Sequence, residues 1–163
     1  MVTGQLTAEA AYDAAARVVD PELPVLTIAE LGILRGVRVD DSGCVEVDLT
    51  PTYSGCPALE AIREDVKDAL RVVGAGDVSI RTILAPAWST DWISAVGQRK
   101  LAEAGIAPPH PRGEGPVSVG ISVRCPRCGS PDTQELSRFG PTSCTALRTC
   151  AACGEPFEHV KAL

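Results

Sequence analysis

Val45-Glu46-Val47-Asp48-Leu49, followed by Thr50-Pro51-Thr52-Tyr53-Ser54-Gly55-Cys56-Pro57, is the stretch on which the fold turns. Its first five residues alternate apolar and acidic side chains, the period of a strand with one buried face. The eight that follow hold two prolines and a glycine, which makes them a loop. Beyond the loop Leu59, Ile62, Val66, Ala69, Leu70 and Val73 line up as one apolar stripe, so a helix follows. Pro57 suits its first position, and Gly74 and Gly76 stop it.

Working upstream, Ile33 to Val39 forms a hairpin with Cys44 to Leu49 around Asp40-Asp41-Ser42-Gly43. Thr27 and Glu30 make a capping box for a single turn closed by Gly32. Ala8 to Val19 is an amphipathic helix ended by Asp20 and Pro21. Downstream, Val78 to Leu84 supplies a third strand, and Ser89 or Thr90 caps a helix that runs to about Ala104 and stops at Gly105. Together these predict an α+β domain over residues 1–106 with a three-stranded sheet and helices. Residues 107–116, with four prolines and two glycines in the ten from Ala107, read as a linker, and 117–163 as a small β module.

Composition bounds what such a chain does. Among 163 residues, 45% are apolar and 22% charged, which suits a packed core. Aromatics are only 4%, so bases would find few rings to stack on. Residues 1–110 carry 9 basic and 16 acidic side chains, net −7, and residues 111–163 carry 6 and 5, net +1. Neither part is a basic footprint, which argues against nucleic acid as a partner. No apolar run approaches the roughly 18–20 residues of a membrane span, and Met1 opens no secretory leader, so the expected location is the cytoplasm.

Seven cysteines carry the chemistry. Cys125-Pro126-Arg127-Cys128-Gly129 and Cys150-Ala151-Ala152-Cys153-Gly154 are two knuckles, each with glycine after its second thiol, as in a zinc ribbon. Four thiolates can also hold an iron-sulfur cluster, but the knuckle-strand-strand-knuckle order favours one structural zinc. Cys144 reads either as a small buried strand residue or as an alternative ligand, and Cys44 as a core residue. His110 and His159 are not needed as ligands. Cys56, at the head of a helix, sits where free amides and the helix dipole favour a thiolate. Trp88 and Trp92 read as core and cap residues or as anchors for a protein partner. No Glu-x-x-His pair, dinucleotide loop or P-loop is present, so no complete catalytic template appears and the chain is expected not to be an enzyme.

Asp20-Pro21-Glu22-Leu23-Pro24, Leu31-Gly32, and Thr50-Pro51-Thr52 with Ser54-Gly55-Cys56-Pro57 resemble the Fe-S cluster assembly domain superfamily, to which SufT belongs. Pro86-Ala87-Trp88-Ser89-Thr90-Asp91-Trp92-Ile93, Gly105-Ile106-Ala107-Pro108-Pro109 and the tail from Phe139 to Phe157 extend the likeness to its phenylacetate-degradation protein D branch. Where that branch carries Thr-Ala-Cys-Lys, this chain has Thr142-Ser143-Cys144-Thr145.

The resemblance implies an accessory or maturation factor for the multicomponent phenylacetyl-CoA epoxidase, with the di-iron or the iron-sulfur reductase component as partner. It implies Cys56 as the thiol that handles iron or a transient iron-sulfur cluster, Asp20 and Glu22 as acidic residues near it, and Cys125, Cys128, Cys150 and Cys153 as the metal site of the tail. One thiolate cannot hold a cluster, so a homodimer pairing two Cys56 side chains, or a small thiol, would complete the ligand set. Two other readings stand beside this one: a structural subunit of the oxygenase without cluster chemistry, and a zinc-ribbon nucleic-acid adaptor, which the charge distribution opposes.

Overall fold

The computed structural model describes residues 6–109 and 122–162. The chain divides into two compact units, residues 1–88 and 89–163.

The first unit opens with helix α1 (Ala8–Ala16), capped by the Thr7 hydroxyl, which accepts from the Ala10 amide at 3.1 Å. The capping box forms as the sequence predicts: the Glu30 amide donates to Thr27 Oγ1 at 3.2 Å and the Thr27 amide to Glu30 Oε2 at 3.0 Å. Strands β1 (Leu34–Val39) and β2 (Val45–Leu49) pair antiparallel across the hairpin. Helix α2 (Ala58–Val72) then carries the chain over to β3 (Val78–Thr82), which lies parallel to β2 and leaves β2 central in the order β1-β2-β3. This sheet and its helices are the α+β architecture expected from the sequence.

Core placement follows the sequence periods. Val45, Val47 and Leu49 alternate along β2, and Ile62, Val66 and Leu70 recur every four residues along α2; all six are no more than 1% exposed. Each fully buried side chain of this kind is worth about 1.5–3 kcal/mol of transfer free energy. Asp48 departs from the pattern. Its carboxylate is nearly buried between Arg81, which bonds it at 2.8 and 3.0 Å from two guanidinium nitrogens, and Arg38 at 2.9 Å. These bonds, Arg81's foremost, hold the Asp48 carboxyl below the usual range against the cost of burial.

In the second unit the predicted single helix is two pieces. Ser89 caps a 3-10 turn, Thr90–Trp92, and Ser94 caps helix α3 (Ala95–Glu103) by accepting from the Gly97 amide at 3.0 Å. Strands β4 (Ile106–Ala107), β5 (Thr133–Ser137), β6 (Thr145–Cys150) and β7 (Pro156–Val160) form a sheet in the order β4-β7-β6-β5. Because β4 pairs with β7, Ala107 is a sheet residue and not the start of a linker, and α3 with β4 falls in the same unit as the ribbon. Residues 110–116 of the expected linker, His110 included, and residues 117–121 of the strand expected before Cys125 lie outside the described residues. Among the described residues no helix is long and apolar enough to cross a membrane.

Candidate functional site

Cys56 lies in the loop from β2 to α2, just before Pro57, which takes the cap position of the helix. Its backbone amide donates to the Tyr53 carbonyl at 3.3 Å, and Gly55, at φ 85°, makes the turn that a residue with a side chain would strain. The Ala58 amide, as a helix start should provide, and the Tyr53 side chain each draw the thiol's pKa down. Burial pushes its pKa above the ordinary value, and Glu22 and then Asp20 push it further in the same direction. The dipole reading identified the helpful amide and missed the larger opposing effects.

The structure thus brings Cys56, Glu22 and Asp20 within electrostatic reach of one another. Asp20 is buried and shapes its own turn, with Oδ1 accepting from the Glu22 amide at 2.8 Å and the Leu23 amide at 2.7 Å. Burial raises its carboxyl against those two bonds. Glu22 is half-buried and raised too, by burial and by Asp20. All three groups resist becoming negative together, which is the electrostatic condition of a place that would welcome a cation. They are not a ready-made cage. Among the described residues, the sole set of three or more Cys, His, Asp or Glu whose ligand atoms converge is the one in the ribbon.

That set is Cys125, Cys128, Cys150 and Cys153, with all four sulfurs within 4.8 Å of one another. Cys125 Sγ lies 3.8 Å from Cys153 Sγ, and Cys128 Sγ 3.6 Å from Cys150 Sγ. A tetrahedron with Zn–S bonds of about 2.3 Å has edges of about 3.8 Å, so the residues fit one zinc-sized ion. A multinuclear cluster would set its own irons and sulfides between the thiolates and hold them wider apart. Gly129 at φ 74° and Gly154 at φ 76° turn the two knuckles, and an Arg127–Glu155 ion pair ties one to the other. Despite the cost of burial, the amides of Cys153 and Ala152 draw the Cys150 thiol down to about 7. The Glu155 amide draws Cys153 down, but desolvation and the three surrounding thiols outweigh it and drive that thiol up to about 12.

The remaining thiols and tryptophans are placed as follows. Cys144 is buried ahead of β6, with the Thr142 hydroxyl 3.1 Å from its sulfur, and is not part of the converging set. Cys44 is half-buried rather than in the core, accepting from the Ser42 hydroxyl at 3.3 Å. Trp88 is 6% exposed and its indole N–H donates to the Leu31 carbonyl at 2.8 Å, so its ring is a core element and not a free anchor. Trp92 is half-buried. Tyr53 is the site residue that sequence reasoning passed over; its signal was its place three residues before Cys56 in the same loop.

Comparison with known proteins agrees with this division. Residues 8–81 match the model described as "Iron-sulfur cluster assembly protein", and residues 111–161 the "PaaD zinc beta ribbon domain". The protein is therefore an iron-sulfur-assembly-type domain followed by a cysteine-bearing β ribbon. The chain is 42% identical, over 88% of its own length and 86% of the relative's, to an Escherichia coli (strain K12) protein named as one of the subunits of 1,2-phenylacetyl-CoA epoxidase. It belongs to the PaaD family. Its first part is 37% identical to the Fe-S protein maturation auxiliary factor SufT of Staphylococcus aureus (strain USA300), covering 47% of this chain and 88% of that one. The crystal structure of a domain of unknown function from Bacillus anthracis superposes with a TM-score of 0.54 at 28% identity, over 58% of this chain and 90% of that one.

Proposed function

We propose that this chain is a non-catalytic accessory factor that hands iron or an iron-sulfur cluster to a phenylacetyl-CoA epoxidase, with Cys56 as the working thiol, Glu22 and Asp20 beside it, and a structural zinc in the ribbon. The observation that carries the reading is the company Cys56 keeps. A half-buried thiol pressed toward its neutral form by burial and two carboxylates gives up its proton when a cation arrives, because the cation relieves the mutual repulsion of all three groups. The set is also incomplete, since the ligand atoms of Cys56, Glu22 and Asp20 are not among those that converge in the described residues. A site with too few ligands holds its cargo only while something else completes the shell, which suits transfer better than storage. A second copy of the chain, a small thiol or a ligand of the recipient protein would complete it.

Kinship supports the direction of transfer: the relatives are named as an epoxidase subunit and as iron-sulfur maturation factors. Metal and sulfide analysis of anaerobically purified wild-type protein and of Cys56→Ala tests the reading. Loss of iron on substitution with zinc retained is the expected result; equal iron in both proteins refutes it. The name of the E. coli relative also favours a second reading, a structural subunit of the oxygenase, which predicts stoichiometric copurification and an inert Cys56.

A further inference from the structure

The two knuckles of the ribbon are built alike. In each, the first cysteine's amide donates to the carbonyl five residues on, Cys125 to Ser130 and Cys150 to Glu155, both at 2.9 Å. The glycine amide then returns to that cysteine's carbonyl, Gly129 to Cys125 and Gly154 to Cys150, both at 2.8 Å. Each turn is closed on itself, so an ion held by all four thiolates is freed by parting one turn from the other. The two sides of the site are unequal. Cys125 and Cys150 are buried beside Val123 and Phe157, and the Ala151 amide, donating to the Asp132 carbonyl at 2.9 Å, ties the second turn to the chain just beyond the first. Cys128 and Cys153 are exposed. Water or a chelator therefore reaches the site through those two thiols, and parting begins there.

Arg127 directly precedes Cys128, and Glu155 follows Cys153 by two residues, so their ion pair spans the exposed side. Arg124 does not duplicate it, because its Nη1 donates to the Gly129 carbonyl at 3.1 Å, within the first knuckle. We infer that Arg127 and Glu155 form a clasp on the ribbon's metal site, positioning residues that slow the parting of the Cys128 and Cys153 turns and so set how fast the ion leaves. Groups outside the ligand shell tune metal retention by holding the ligands in place. Charge alone makes the opposite demand of Glu155. Four thiolates around a divalent cation carry surplus negative charge, so a carboxylate nearby weakens the complex unless it is engaged in holding the knuckles together. Glu155 is thus the residue at which a clasp and a mere charge effect differ in sign. The clasp presupposes an ion in the ribbon, which metal analysis reads separately.

The test is zinc release from the full-length, zinc-loaded protein to a chromogenic chelator, in enough excess that the rate no longer depends on its concentration. Glu155→Gln and Arg127→Gln should each release zinc about three- to fivefold faster than wild type, the size of one exposed ion pair, and the double variant no faster than either single one. The paired side chains are 67% and 37% exposed, so salt should screen them: NaCl at about 1 M should speed release from the wild type toward the variants' rate. Hydrogen exchange of the zinc-loaded proteins, alike in β5–β7, checks that the variants keep the ribbon fold; should a variant lose it, the salt dependence of the wild type decides. Slower or unchanged release from Glu155→Gln, additive effects in the double variant, or a wild-type rate indifferent to salt overturns the clasp. A wild-type chain that carries no metal and takes up no added zinc overturns the metal reading, and the clasp falls with it.

Discussion

Removing the metal from the ribbon should unfold the second unit's sheet and spare the first unit. The buried apolar cluster there consists of Ala107, Val123, Cys125, Cys150 and Phe157, so two of its five members are themselves ligands. Val123 and Phe157 contribute about 1.5–3 kcal/mol each. A structural zinc on four thiolates contributes about 10–16 kcal/mol at neutral pH, so the ion outweighs the rest of the cluster several-fold. Cys128→Ser replaces one thiolate with a poor ligand, and a strong chelator removes the ion altogether. Hydrogen exchange read by mass spectrometry should show β5, β6 and β7 losing protection in both cases, while β1–β3 and α2 keep theirs. Metal analysis of the untreated protein should give one zinc per chain. A metal-free wild-type chain whose β5–β7 amides stay protected would refute the reasoning.

Other consequences are local. Trp88→Phe leaves the Leu31 carbonyl without its 2.8 Å donor and should cost about 1–3 kcal/mol, read as a lower midpoint in urea. Asp20→Asn keeps an acceptor for the Glu22 and Leu23 amides but removes a charge that burial opposes, so it should leave stability equal or higher; a clear loss of stability would contradict this. Glu22→Gln removes a like charge from the thiol's surroundings and should speed iodoacetamide alkylation of Cys56 near neutral pH; an unchanged rate would contradict the placement. Asp48, held below its ordinary pKa chiefly by Arg81, lends stability that is complete above the unfolded value of about 3.9 and fades as acid carries the pH down through the folded value. Asp48→Asn should therefore flatten the acid limb of the stability profile.

Where structure is local in the chain, the sequence declared it. The alternation of Val45, Val47 and Leu49, the Thr27–Glu30 box and the paired cysteines with their glycines each act over a few residues, and each appears in the structure as read. What depends on distant partners did not show. Nothing near Ile106 and Ala107 announces that they pair with β7, and the following prolines make Ala107 look like the start of a linker. Asp48 looked like an ordinary outward residue because the register that sets it opposite Arg81 is made by a crossover. The helix after Trp88 splits because Ile93 is extended and Ser94 starts a cap of its own, a second capping serine that the apolar pattern conceals. Cys56 shows both cases at once. Its Ala58 amide is local and was foreseen; the burial and the carboxylates that outweigh it come from other parts of the fold.

Whether Cys56 works on behalf of another protein is tested most directly by coexpressing the epoxidase subunits with this chain, wild type or Cys56→Ala, and measuring the iron and sulfide content of the purified oxygenase. Cys56→Ala should fold like the wild type and yield oxygenase depleted in its iron-sulfur or di-iron centre. An oxygenase fully loaded and fully active alongside Cys56→Ala would contradict such a role.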